Sequence, residues 1–166
     1  MKEKVVRLKF PKISQAFCNW ENASKIFRRR RSCRSNALKH FRHEQKIDAI
    51  LSVSESVKVE GFETIKTKIA DHGIEYLESF PYIGTVTKFH LGKNLGLDVV
   101  KPDRHLCRIA SQSGFDSPDQ MCHVVHELTG EKLSVIDLVF WRFATLDNNY
   151  LDFFSATAKS QRLLAA

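Results

Sequence analysis

The spacing of apolar residues limits most strongly how this chain can fold. From Gly61 onward they recur three or four positions apart, in short runs cut by glycines and a Ser-Pro pair. That is the period of a helix with one buried face, not the alternation of a strand. Phe62, Ile65 and Ile69 form one stripe that stops at His72-Gly73, and residues 74–79 add a short helical turn carrying Tyr76 and Leu77. After a hairpin at Pro81–Gly84, residues 85–95 resume as a helix with Val86, Phe89 and Leu91 apolar, closed by Gly96. Leu106, Ile109 and Ala110 mark the next helix. Ser117-Pro118-Asp119 opens another, with Met121, Val124, Val125 and Leu128 inside and Gly130 at its end. Ser134 and Asp137 have capping-box spacing ahead of Leu138, Val139, Trp141 and Phe143, and a last helix is predicted over residues 149–164.

The N-terminal third is less regular. Residues 4–10 alternate at period two, which predicts a short strand or an extended arm, and Pro11 interrupts it. Ile13, Ala16, Phe17 and Trp20 then fall at helical spacing, and residues 22–24 supply a break and cap before Lys25. Arg28, Arg29, Arg30 and Arg31 would cover every side of a helix, so they predict a helix end or a mobile loop. Ser35 or Asn36 is the expected cap of a helix carrying Leu38, Phe41, Ile47, Ile50 and Leu51. The expected architecture is all-α, a helical bundle containing a helix-hairpin-helix element. Residues 1–24 are expected to form a basic, partly extended arm, and residues 25–166 the helical domain.

Composition excludes several classes. A hydrophobic fraction of 43% with 12 Phe suffices for a core, and seven Gly and four Pro are too few for a loop-rich β-sandwich or a disordered chain. No apolar run approaches the ~20 residues that span a bilayer. The start, Met1-Lys2-Glu3-Lys4, lacks the apolar core of a signal peptide, so a cytoplasmic, nucleoid-associated location is expected. Cys18, Cys33, Cys107 and Cys122 show no CxxC spacing and are read as free thiols, with no zinc or iron–sulfur site. Cys122, His123, His126 and Glu127 resemble a ligand set, but no second ligand pair completes it.

Charge is concentrated. Nine basic residues and one acidic residue, Glu44, lie between Lys25 and Lys46, a net +8 against +7 for the whole chain. Such a patch neutralises phosphates, or it is a solvated helix face or a surface for another polyanion.

Two neighbouring segments carry the chemistry. In Phe80-Pro81-Tyr82-Ile83-Gly84-Thr85, the glycine lets backbone approach a phosphate, and the following helix offers unpaired N–H groups at its positive end. A plain interhelical turn explains the same residues. In Lys101-Pro102-Asp103-Arg104-His105, Asp103 stands where a helix begins, as an N-cap or as a carboxylate aimed at a nucleotide.

Together these segments, about twenty residues apart, resemble the helix-hairpin-helix (HhH-GPD) DNA glycosylases of the endonuclease III superfamily. That family has a Leu-Pro-Gly-hydrophobic-Gly hairpin, a helix, and an aspartate in a segment like Val-Asp-x-His. Residues 94–110 are the closest part, and the resemblance covers roughly residues 60–145. It implies a monomer acting on double-stranded DNA without a cofactor, with Asp103 as the catalytic carboxylate. Tyr82, Ile83, Gly84, Thr85, Lys88, Lys93, Lys101, Arg104 and His105 would contact DNA, beside the arginines at 28–31.

The departures narrow the mechanism. Tyr82 replaces the first hairpin glycine, Lys88 replaces a usual small residue, and the cysteine loop of cluster-bearing members is absent. Val86 stands where bifunctional members carry a Schiff-base lysine, and valine forms no imine. Lys88, two residues on, points to another side of the helix. The resemblance therefore implies the monofunctional branch, which uses water as nucleophile and leaves the strand intact. The alternatives are a non-catalytic DNA-binding module using residues 25–46, and an RNA-binding or protein-interaction domain. Trp20, Trp141 and the Phe positions could include a base-stacking aromatic, most being expected in the core, and Tyr82 at the hairpin tip is expected to face DNA or cover the clamp.

Overall fold

The structure is a computed structural model that describes residues 3–155. All regular structure among these residues is helical, as the apolar spacing predicts. The chain divides into two compact units, one ending at Ile83 and the other beginning at Gly84.

The first unit contains α1 (Glu3–Ala16), α2 (Ala23–Arg28), α3 (Arg30–His40), α4 (Glu44–Glu60) and α5 (Phe62–Leu77). Helix α1 packs on α3, α2 and α3 pack on α4, and Phe17, Ile26, Cys33, Ala37 and Ile47 form the core. Residues 3–16 of the expected arm form a helix. A lone strand leaves its backbone groups without partners, whereas a helix satisfies them internally. The period-two pattern misleads because Leu8 and Phe10 are both exposed, while the anchoring residue Phe17 is fully buried. Pro11 lies inside α1, where it cannot donate the usual helical bond.

Asn22 caps α2 as predicted, its Oδ1 accepting from the Lys25 N–H at 3.1 Å. The arginine run is a helix end: Arg28 closes α2, Arg29 breaks the helix, and Arg30 opens α3. Ser35 and Asn36 do not cap a helix but lie inside α3, which continues because Cys33 and Ala37, one turn apart, are both buried. The break comes instead at residues 41–43. In α5, Gly73 (φ 59°, ψ −139°) interrupts the helix where the sequence predicts, in a conformation closed to other residues.

The second unit contains α6 (Thr87–Asn94), α7 (Arg104–Gln112), α8 (Pro118–Thr129) and α9 (Leu133–Leu146), with residues 150–155 also helical. The rest of the predicted last helix lies outside the described residues. Val100, Leu106, Ile109, Met121, Cys122 and Ile136 are among the core residues. Ser117 caps α8 and Gly130 ends it in the left-handed conformation, as expected.

The predicted capping box at α9 does not form. Asp98, from the preceding loop, accepts from the N–H groups of Leu133 (3.3 Å) and Ser134 (2.8 Å), and Asp137 is buried inside the helix. Residues 135–141 of α9 are apolar almost all round, so their period does not choose a face. Packing buries Ile136, Asp137 and Ala144 and leaves Leu138 and Val139 exposed. In α8, Val124 and Leu128 also face outward.

Candidate functional site

Asp103 occupies the N-cap of α7: Pro102 before it disfavours helix at Lys101 and has no N–H to donate, and Leu106, Ile109 and Ala110 bury the face that follows. Its Oδ1 accepts from the backbone N–H groups of His105 (2.9 Å) and Leu106 (3.1 Å). Its Oδ2 makes no hydrogen bond or ion pair among the described residues. Asp103 also lines a cavity of about 410 Å³, together with His90, Lys93, Lys101, Asp137 and Trp141. The carboxylate therefore both caps its helix and borders a cleft.

A buried ion pair forms part of that cleft. Lys93 Nζ lies 2.7 Å from Asp137 Oδ1, with side-chain exposures of 18% and 3%, and the Lys101 N–H donates to Asp137 Oδ2 at 2.5 Å. Lys93 is thus neutralised within the protein, against its expected role as a phosphate contact. Trp141 is 38% exposed and offers an aromatic surface to the cavity. His90 and Asp137 are the residues sequence reasoning missed. For Asp137 the signal was present: a charge amid Val135, Ile136, Leu138 and Val139 marks a buried, paired carboxylate.

The other predicted contacts divide between the units. In the second unit Gly84 and Thr85 are exposed at the start of α6, and nothing lies within 4 Å of where a Gly84 side chain would begin. Backbone can be approached there, but the Gly84 N–H is not unpaired: it donates to Thr87 Oγ1 at 2.8 Å. Lys88 is 8% exposed, which withdraws it from a phosphate, and its Nζ lies 5.9 Å from the Phe89 ring centre. Arg104 is exposed; the His105 ring meets Tyr150 Oη at 3.2 Å through Nδ1 and Arg104 Nε at 3.4 Å through Nε2. Val86 is 49% exposed at the N-cap of α6.

In the first unit Tyr82 is half exposed and takes φ 69°, a glycine-like backbone despite its side chain. Its Oη lies 3.1 Å from His43 Nε2, and Lys46 Nζ stands 5.4 Å from its ring centre. Ile83 is half-buried and its N–H donates to the Phe80 carbonyl at 3.1 Å. Tyr82 thus meets the end of the basic segment. Within that segment Arg28, Arg29, Arg30 and Arg31 are all exposed, whereas Lys25 pairs with Glu21, and Arg34 with Glu44 and Asp48. Hydrogen bonding to Arg34 holds the Asp48 carboxyl below its ordinary range.

Two of the discounted metal ligands are occupied: His123 Nδ1 meets the Asp119 carbonyl at 2.9 Å and His126 Nδ1 the Glu131 carbonyl at 2.6 Å. No cluster of three or more metal-ligating side chains occurs among the described residues. No protein-family model, curated protein or solved structure matches this chain.

Proposed function

We propose that this chain is a monofunctional DNA glycosylase of the helix-hairpin-helix type. It hydrolyses the N-glycosidic bond of a damaged or modified base, with Asp103 as the catalytic carboxylate. The observation that carries this reading is the placement of Asp103: fixed to α7 through one oxygen, it lines a cavity that Lys101 and Trp141 also border. About 410 Å³ falls in the range of pockets that enclose small ligands. A base extruded from the duplex would enter such a site at a cost of a few kcal/mol. Bond cleavage then builds positive charge on the sugar, which a nearby carboxylate stabilises while orienting the attacking water.

The left-handed backbone at Tyr82 supports the hairpin part of the resemblance, because the family carries glycine at that position. With Val86 in place of the imine-forming lysine, water is the nucleophile and the strand is left whole. The exposed arginines at 28–31 supply phosphate contacts for double-stranded DNA. Such a protein acts as a monomer in the cytoplasm, at the nucleoid, and needs no cofactor. No helix among the described residues is long and apolar enough to cross a membrane.

One observation favours the second reading, a non-catalytic binding module. The two N–H bonds to Asp103 Oδ1 are the routine work of an N-cap. Duplexes carrying different lesions, incubated with the protein and heated in alkali, separate the two. The glycosylase gives strand breaks only after alkali; the binding module gives none on any substrate. Breaks without alkali, with a borohydride-trapped covalent adduct, would contradict the hydrolytic mechanism.

A further inference from the structure

We infer that Asp137 is a positioning residue for Asp103, acting through a relay of hydrogen bonds from α9 to the start of α7. A carboxylate as buried as Asp137 is costly unless both oxygens are paired, and here both are. Oδ1 takes Lys93 Nζ and Oδ2 takes the Lys101 N–H. The Lys101 carbonyl in turn accepts the Asp103 N–H at 2.8 Å, closing a tight turn around Pro102. Asp103 then binds the first turn of α7 through Oδ1.

The three residues that deliver the carboxylate are therefore held at both ends. Pro102 removes one backbone freedom, the cap fixes the Asp103 side chain, and Asp137 anchors the Lys101 end. Lys93 balances the charge of Asp137. All four of Lys93, Lys101, Asp103 and Asp137 line the same cavity, so the relay ends at the site it serves. The consequence for activity rests on the glycosylase reading; the relay itself does not.

The variants are Asp137→Asn and the pair Lys93→Gln/Asp137→Asn. Asparagine offers one acceptor where aspartate offers two, so its NH₂ opposes either the Lys93 ammonium or the Lys101 N–H. In the double variant the glutamine carbonyl introduced by Lys93→Gln accepts from that NH₂, and the Lys101 bond can re-form without charge. Two readouts are needed: NMR hydrogen exchange at the amides of Lys101 and Asp103, and single-turnover base release with DNA affinity measured separately. Asp137→Asn should speed exchange at both amides and slow base release by up to about 100-fold, the scale of a misplaced catalytic group, at unchanged affinity. The double variant should recover most of both.

Unchanged exchange at Lys101 and Asp103 in folded Asp137→Asn would overturn the inference. So would a double variant as slow as the single one. If the wild type releases no base, the glycosylase reading fails alone, and amide exchange still decides the relay. Should Asp137→Asn not fold, the double variant is compared with Lys93→Gln/Asp137→Leu, which cannot accept from Lys101, and the same outcomes apply.

Discussion

Asp103 serves two purposes with one carboxylate, and substitutions can separate them. Asparagine caps a helix about as well as aspartate, so Asp103→Asn should keep the wild-type urea midpoint, whereas Asp103→Ala should lose about 1 kcal/mol of stability. Both should lose base release. Cysteine reactivity gives an independent check on the core of each unit. Burial, with the charges of Asp137 and Asp119 adding, pushes the Cys122 thiol up to about 12, and burial also raises Cys33. At pH 8 a disulfide reagent should label exposed Cys107 rapidly, and Cys33 and Cys122 only after unfolding. Rapid labelling of Cys122 in the native protein would contradict the packing of α7, α8 and α9. Asp103 was legible in the sequence because a Pro-Asp pair ahead of an apolar helical stripe announces an N-cap. For Asp137 the apolar neighbours announce burial but not the partners, which are Lys93 and the Lys101 backbone, 44 and 36 positions away. No local spacing encodes such a pairing.

Among elements, α9 shows how a helix can take its cap from elsewhere in the chain. Its first two N–H groups are satisfied by Asp98 rather than by a neighbour in sequence. Burial pushes the Asp98 carboxyl up. The bonds from the Ser134 backbone and side chain and from the Leu133 backbone, with the Lys132 charge, outweigh it and leave the carboxyl below its ordinary value. A carboxyl depressed on folding contributes stability above its unfolded value of about 3.9, and that contribution is lost as pH falls through the folded value. Asp98→Ala should therefore cost about 1 kcal/mol at neutral pH, the usual worth of a cap, and the gap to wild type should close as pH drops below about 4. A gap that persisted at low pH would show that the carboxylate is not what holds the helix start. Helix ends marked by a residue's own chemistry, such as Asn22, Gly73, Ser117 and Gly130, were readable from sequence. The misread ones depend on packing: exposed Leu8 and Phe10 imitate a strand at α1, buried Cys33 and Ala37 carry α3 through Ser35 and Asn36, and the apolar run of α9 hides which face is buried.

For the whole molecule, the chain's net charge comes from one segment, and the arginines at 28–31 within it are exposed in the first unit. If they neutralise phosphates, log K for duplex DNA should fall with log salt, and each arginine removed should lower that slope by about 0.9. Replacing Arg28, Arg29, Arg30 and Arg31 together should weaken binding to all duplexes alike, because phosphate contacts carry no sequence information. The all-helical class was readable from the apolar period beyond Gly61, whereas the division at Ile83 was not, since the basic segment that distinguishes the first unit ends at Lys46. The central claim is that Asp103 does chemistry on a base delivered to its cavity. It is tested most directly by single-turnover base release from a lesion-bearing duplex that the wild type processes, comparing wild type with Asp103→Asn at saturating protein. The account predicts a loss of about 100-fold or more with unchanged DNA affinity and unchanged stability. Wild-type rates in a folded, DNA-binding Asp103→Asn would contradict it.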